Sequence, residues 1–259
     1  MTSTDLSRLR LGTAPDSWGV WFAQDAHQVS WKQYLDDVAN AGYVWTELGP
    51  QGFLPQDPQQ LRDELDQRGL KVCGGTVFAG LHKGKDALDK AIADFSREAR
   101  LLTEVGAKYL IHLPEQYTDM HTGEATQSGD IDPEQWSNLI TGTNELARVI
   151  FEEFGVELVF HPHADTHVDT QDRIEQFLKD TDPQFVNLCL DTGAHRVLRR
   201  RQLPDHRTLP GADHLRALQA GGSGGAGKGS AREALARRGG PAGHHGRATV
   251  RRAESACAA

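Results

Sequence analysis

Short apolar segments alternate with longer amphipathic segments along residues 8–191, and this alternation constrains the fold more than any other feature of the sequence. Apolar, β-branched runs predict strands, and segments with a helical period predict helices. The predicted strands are 8–14, 43–48, 70–78, 107–113, 156–161 and 185–191, and the predicted helices are 30–42, 57–69, 85–105, 133–153 and 170–180. This order predicts an α/β fold with a parallel sheet and about six βα units, three quarters of a (β/α)₈ barrel.

The regular pattern ends at Gly193, where an Arg-, Gly- and Ala-rich tract without hydrophobic period begins. Residues 194–259 hold 13 of the 28 Lys and Arg residues but 4 of the 36 Asp and Glu residues, a net charge of +9 that leaves −17 for the rest. The sequence therefore predicts a partial barrel over 1–193 and an irregular, non-native or disordered tail over 194–259, because the tail has too little apolar surface to offset the entropy of ordering. A barrel that stops after six strands would expose the edges of its first and sixth strands, which favours aggregation.

Composition excludes several classes of protein. The three cysteines, Cys73, Cys189 and Cys257, are too few for a disulfide framework, and two of them lie in apolar runs, which is typical of reduced thiols. The N-terminal residues lack the apolar core of a signal peptide, and no run approaches the roughly 18 apolar residues of a membrane span. We expect a cytoplasmic protein without a membrane partner.

Polar side chains collect just after the predicted strands, at the rim where parallel α/β folds bind ligands. The rim residues are Asp16, Ser17, Trp18, Glu47, His82, His112, Glu115, His161, His163, Asp165, His167 and Asp191. This placement is the strongest functional signal that the residues give by themselves.

A divalent-metal site is indicated where two neighbouring strands end. His161 and His163 lie on one face of the chain if the strand persists through Pro162, and Asp191 ends the next strand. One imidazole and the Asp191 carboxylate would begin a mixed nitrogen and oxygen site for Mn²⁺, Co²⁺, Zn²⁺ or Mg²⁺. The plain alternative is that these histidines cap loops or bond backbone groups.

Two carboxylates at the rim are candidates for proton transfer. Glu47 follows a tryptophan at a strand end, where desolvation raises a carboxyl pKa, and Glu115 lies near His112 after another strand. A salt bridge or a helix cap would explain either residue equally simply. Trp18, Trp21 and Phe22 offer aromatic faces for a polyol, and plain barrel packing would explain them equally well.

Six blocks of sequence together resemble one enzyme family. GTAPDSWGVWF, GYVWTELGPQGFLP, GGTVFAGLH, PEQY, FHPHADTHVDT and CLDTG, spread over about residues 10–193, are similar to the inosose dehydratase branch of the xylose isomerase-like TIM barrels, also known as sugar phosphate isomerases/epimerases. The resemblance implies a metal-dependent enzyme that acts on a polyol ketone. In the dehydratases, 2-keto-myo-inositol loses water to give a diketone.

The resemblance also implies roles for individual residues. Asp191 would be a metal ligand, His161 or His163 would take the ligand position on the fifth strand, and Glu47 would be an acid or base. Mn²⁺ and Co²⁺ would be the favoured metals, with Mg²⁺ and Zn²⁺ as alternatives. We predict catalytic roles for Glu47, Glu115 and His163, substrate contacts for Trp18, His112 and His167, and metal ligation by His161 and Asp191.

The sequence departs from the family pattern after Gly193. The family continues DTGH, with a ligand histidine in an HxK motif on strand seven and a glutamate on strand eight, whereas this chain reads DTGAH and has neither later motif. One inserted nucleotide near the Gly193 and Ala194 codons accounts for this, because reading the next codons from their second base permits HIAYYGGDN and later RYPERIIYVHFKQVDPAVLAK. We therefore interpret the tail as the product of a frameshift, and we expect weak activity from a chain without those ligands.

Two other functions remain open from the sequence. A sugar or sugar-phosphate isomerase/epimerase would use the same barrel with different chemistry, and a non-enzymatic binding protein would use the basic tail. The tail lacks the interleaved aromatic residues of single-strand binders, so we expect a small-molecule polyol or keto-sugar as partner and no nucleic acid. A homo-oligomer is compatible with the sequence.

Overall fold

The computed structural model describes residues 9–120, 122–191, 215–219 and 255–258. Within them, eight strands form a closed barrel in chain order. The strands are β1 (Leu9–Thr13), β2 (Trp45–Glu47), β3 (Lys71–Ala79), β4 (Tyr109–Pro114), β5 (Glu157–Phe160), β6 (Val186–Asp191), β7 (Leu215–Gln219) and β8 (Ser255–Ala258). The helices are α1 (Trp31–Asn40), α2 (Pro58–Asp66), α3 (Lys85–Glu104), α4 (Pro133–Phe154) and α5 (Gln171–Asp180).

The six predicted strands and the five predicted helices are confirmed to within a few residues at each end, because their boundaries carry local signals. Side chains cap the helices where the sequence places cap residues: the Asp132 carboxylate accepts from the Gln135 backbone N–H at 2.8 Å, and the Gln135 side chain accepts from the Asp132 N–H at 3.0 Å. Such a reciprocal pair satisfies two of the orphan donors of a helix start. The side chains of Ser30, Asp57 and Thr170 cap α1, α2 and α5 in the same way.

The expectation of open edges at the first and sixth strands is wrong. β7 pairs in parallel with β6, and β8 pairs antiparallel with both β7 and β1. These two strands lie within the stretch that was predicted to be irregular, and they supply the backbone partners that the edges would otherwise lack. The boundary at Gly193 and the rest of the predicted tail lie outside the described residues.

The core separates into two layers because each strand is buried on both faces. The large layer lies between the sheet and the helices and includes Phe160 and Phe177, whose rings stack with centroids 4.0 Å apart. The small layer lies inside the barrel and consists of Ile111, Val159 and Cys189 on three adjacent strands. This inner face continues along the strands to the mouth of the barrel, at their carboxyl ends. Among the described residues, no helix is long and apolar enough to cross a membrane.

The ladder between β2 and β3 is irregular next to the mouth. Thr46 pairs with Val72, but Glu47 pairs with Gly74, so Cys73 is one extra residue on the β3 side. A bulge of this kind bends the strand and turns the following side chains. Thr76, two residues past the realigned pair, consequently contacts Glu47.

A buried carboxyl lies behind the sheet, between α3 and β3. Glu98 is 1% exposed and accepts a hydrogen bond from Gln51 Nε2 at 3.3 Å. It fits because Gly75 lacks a side chain: a Cβ there would lie 2.8 Å from Glu98 Oε1. Desolvation raises the pKa of Glu98 to about 7, against the lowering effects of Gln51 and Arg97.

Replacing Glu98 by glutamine is expected to stabilise the protein more at pH 8 than at pH 5.5. The folded-state pKa lies above the unfolded one, so ionisation of Glu98 costs stability that grows as pH rises from the unfolded to the folded pKa. The cost removed by the neutral amide should differ between the two pH values by about 1–2 kcal/mol. Urea unfolding of both proteins at each pH measures the difference, with the exposed Glu153→Gln on α4 as control. An equal effect of Glu98→Gln at both pH values would contradict the prediction.

Candidate functional site

The predicted metal pair meets at the barrel mouth. Val159 and Cys189 point into the barrel, so His161 and Asp191, two residues further along each chain segment, lie on the same inner face. The His161 backbone N–H donates to His112 O at 2.9 Å, which extends the strand ladder to the histidine. His161 Nε2 lies 3.3 Å from Asp191 Oδ2, and the two residues are 4% and 3% exposed.

This pair fits the start of a divalent-metal site in the type of its donors. An imidazole nitrogen and a carboxylate oxygen are ligands that Zn²⁺, Mn²⁺ and Co²⁺ accept. Among the described residues, however, no group of three or more His, Cys, Asp or Glu side chains is placed to hold a metal ion. The described part of the chain therefore brings together two side chains of the right type and does not form a complete metal site.

Glu47, at the end of β2, is the strongest candidate for proton transfer. Thr76 Oγ1 on β3 donates a hydrogen bond to Glu47 Oε2 at 3.1 Å. Burial and the nearby charge of Asp16 together raise the pKa of Glu47 to about 7, against the lowering effect of the Thr76 hydrogen bond. A carboxyl with a pKa near neutrality can both accept and release a proton at physiological pH.

Asp16 provides a second carboxyl at the mouth. It lies in the 3₁₀ turn Pro15–Trp18 directly after β1, where its Oδ1 accepts from the Ser17 backbone N–H at 2.9 Å. Burial raises the pKa of Asp16, while the Ser17 N–H and His161 lower it. Two carboxyls with raised pKa values in one mouth are typical of acid and base pairs in enzymes.

His163 lies beside His161, although the strand that was expected to carry both ends at Phe160. Its ring centroid is 5.5 Å from that of His161. Its Nδ1 lies 3.1 Å from Gln116 Nε2 and 2.9 Å from Ala164 O, so the loops after β4 and β5 fix the orientation of the ring. Burial lowers the pKa of His163, which favours the neutral imidazole.

The structure places two predicted substrate contacts away from the mouth. His112 is 0% exposed on the helix-facing side of β4, with its ring against Phe95 and Phe160 and its Nε2 3.2 Å from Ala79 O. Trp18 packs edge-on against Tyr34 of α1, and its Nε1 donates to Asp37 Oδ2 at 3.3 Å. Both side chains contribute to packing between strand ends and helices.

The remaining two predicted residues lie in the loops around the mouth. His167 is 3% exposed, with its ring 4.5 Å from that of His82 and its Nδ1 3.2 Å from Gly129 O. Glu115 pairs with Lys83 at 2.6 Å and stays 40% exposed.

Sequence reasoning gave no role to Asp16 and did not single out Thr76 or Phe78. Asp16 carried a signal, since it follows a strand at the rim. Thr76 and Phe78 alternate on β3 and so share the inner face with each other, but the bulge at Cys73 determines which face that is. An apolar strand buried on both sides gives no alternating pattern from which the inner face could be read.

With this geometry established, comparison with known families identifies the barrel. The sequence model of the xylose isomerase-like TIM barrel family matches residues 35–247. The chain belongs to this family. Membership confirms the resemblance and the barrel class that the sequence predicted.

The curated relatives of the chain include inosose dehydratases. The chain is 32% identical over 198 residues to the inosose dehydratase of Geobacillus kaustophilus and 30% identical over 189 residues to that of Salmonella typhimurium. Each alignment covers 71% of this chain. The chain spans 60% and 61% of the length of those two relatives, so it matches only part of each enzyme.

Solved structures of the family share the fold at low sequence identity. A xylose isomerase-like TIM barrel protein from Mycobacterium smegmatis in complex with magnesium superposes with a TM-score of 0.63 at 18% identity, over 83% of this chain and 74% of that one. The IOLI protein with a bound zinc atom gives a TM-score of 0.57 at 16% identity, over 74% and 66%.

Proposed function

We propose that the chain belongs to a lyase that removes water from a cyclic keto-polyol of the inosose type to give a diketone. The observation that carries the proposal is Glu47, a carboxyl of pKa about 7 at the inner mouth of the barrel, beside the second carboxyl of Asp16. The curated inosose dehydratases support the same reaction. Because the chain spans about 60% of their length, the activity of the chain itself is part of the proposal.

The carboxyl of Glu47 makes both proton transfers. As carboxylate, Glu47 takes the proton from the carbon next to the ketone through an Oε atom. The carbon–oxygen bond of the neighbouring hydroxyl then breaks, and Glu47 gives the proton to the leaving oxygen, which departs as water. Glu47 is ionised again at the end, so the starting state is restored. The nearby charge of Asp16 raises the pKa of Glu47 and so favours uptake of the proton by Glu47.

We propose that His161 and Asp191 hold a divalent cation, Mn²⁺ or Co²⁺ in preference to Mg²⁺ or Zn²⁺. Magnesium and zinc in the two related structures support a metal in this family's barrel. When bound, the ion polarises the ketone and makes the adjacent C–H more acidic. His163 and Glu115 would bind and orient substrate hydroxyls at the rim, with His163 held by Gln116 and Glu115 held by Lys83.

Replacing Thr76 by valine is expected to shift the pH dependence of turnover upward. The Thr76 hydroxyl stabilises the ionised form of Glu47, so its loss raises the pKa of the base, and kcat/KM should rise at a higher pH than in the wild type. A pH–rate profile measures the inflection. Thr76→Ser retains the hydroxyl and should keep the wild-type inflection, and an unmoved inflection in Thr76→Val would show that this bond does not tune the base.

The mass of the product tests the proposed reaction directly. Incubation of the protein and Mn²⁺ with 2-keto-myo-inositol should yield a product lighter by one water molecule. An isomer of unchanged mass would replace the lyase by an isomerase or epimerase on the same barrel. No turnover with either Mn²⁺ or Co²⁺ would overturn the proposed activity for this chain.

We also infer a reducing compartment, consistent with the cytoplasm. Cys73 and Cys189 are both buried in the barrel. The three cysteines of the sequence are too few for a disulfide framework, which is typical of proteins from reducing compartments.

A further inference from the structure

A cavity of about 510 Å³ opens beside the barrel mouth. Its walls come from three segments that are distant in sequence: the loop after β1, the end of β3 and the loop after β4. Phe22, Phe78 and Met120 give it an apolar side, and Phe78 and Met120 remain 41% and 43% exposed. Large side chains with so much exposed apolar surface are usually found where another molecule binds.

Two structural links join the cavity to the proton-transfer residues. Phe78 lies two residues beyond Thr76 on β3, so its side chain shares the inner face with the one that bonds Glu47. Gln116, which lines the cavity, contacts His163 Nδ1 at 3.1 Å. The cavity is therefore linked to Glu47 through β3 and to His163 through Gln116.

The cavity also has a polar lining. Glu115, Thr118 and Asp119 contribute to it, and the Glu115 carboxylate is held in place by Lys83 at 2.6 Å. Hydrogen-bond acceptors and aromatic rings in one cavity suit a polyhydroxylated ring, because its C–H face packs on the aromatic surface while its hydroxyls donate to the carboxylates. An open-chain polyol has no rigid C–H face to offer.

We propose that Phe78 and Phe22 form an aromatic wall that selects a cyclic polyol over an open-chain one. The inference rests on the proposed function, since it assigns residues to substrate selection in the same site. It places the specificity of the site in the loop after β1 and the end of β3, apart from the groups that move protons.

Calorimetric titration without added metal tests this wall, with myo-inositol and sorbitol as six-carbon probes that lack the reacting ketone. Wild-type protein should bind myo-inositol at least about tenfold more tightly than sorbitol. Phe78→Leu should weaken myo-inositol binding by about three- to tenfold, the range that aromatic stacking contributes, and should leave sorbitol binding unchanged. Phe151→Leu is the matched control, because Phe151 lies on α4 with a similar exposure of 45%, and it should bind both probes as the wild type does.

Turnover separates this inference from the proposed function. If Phe78→Leu weakens myo-inositol binding and the wild type does not dehydrate the keto-polyol, the proposal of the aromatic wall is supported and the proposed reaction is wrong. If the wild type dehydrates the substrate but Phe78→Leu binds myo-inositol as tightly as the wild type, the wall is wrong and the reaction stands. Equal binding of both probes by the wild type also overturns the wall.

Discussion

Glu47→Gln is expected to lower kcat/KM for dehydration of the keto-polyol by about 10²- to 10⁴-fold, the usual contribution of a positioned general base. The amide keeps the size of the side chain but cannot take the proton from the carbon next to the ketone. The pH dependence of kcat/KM should also reflect the ionisation of Glu47. Because Glu47 acts as carboxylate and its pKa is about 7, kcat/KM of the wild type should rise with pH through about 7 and level off above it.

A steady-state assay across pH 5.5–9 measures both effects. Residual activity of Glu47→Gln should no longer follow the inflection near pH 7, while binding of myo-inositol should persist, since the inositol is held by other groups. Glu98→Gln is the matched control, because Glu98 is also a carboxyl with a pKa of about 7 but lies on the helix side of β3. If Glu98→Gln lost as much activity as Glu47→Gln, the assignment of the base would be wrong.

Asp191→Asn is expected to weaken Mn²⁺ binding by at least about 10- to 100-fold. Substitutions of groups that merely support metal ligands already cost that much affinity, so loss of a ligand's charge should cost no less. His161→Ala should have an effect of similar size, because the described residues offer no third His, Cys, Asp or Glu to take over. Electron paramagnetic resonance of free Mn²⁺ gives the affinity directly.

Asp169→Asn provides the comparison for this experiment. Asp169 is another buried carboxyl in a loop at the mouth, 8% exposed, but it bonds Tyr117 instead of a histidine. It should bind Mn²⁺ as tightly as the wild type. Unchanged affinity in both Asp191→Asn and His161→Ala would remove the metal site from these two strands.

The sequence predicted the first six strands and the five helices because their signals are local. Asp132, Ser30 and Thr170 each cap a helix by accepting from the backbone N–H three residues further along. The spacing of apolar residues is likewise a property of one segment and does not depend on the rest of the chain. The proximity of His161 and Asp191 could also be predicted, because both residues lie at the ends of neighbouring parallel strands and the ends of such strands meet at one rim.

Other parts of the site depended on which face of a strand is inside. His112 follows a strand whose residues are apolar on both faces, so no alternation showed that it points to Phe95 and the helices. The neighbourhood of Glu47, Thr76 and Asp16 joins three strands and depends on their register. β7 and β8 were missed because they are short and carry no clear strand pattern in the sequence.

The extra residue at Cys73 makes the site more sensitive to the length of β3 than to its composition. Deleting that one position would restore a regular ladder opposite Thr46 and Glu47 and exchange the two faces of the strand beyond it. Thr76 and Phe78 would then point to the helices, and Glu47 would lose its hydrogen-bond donor while every residue type stayed the same. Substitutions along β3 do not change which face each residue occupies, so insertions and deletions are the changes that this arrangement tolerates least.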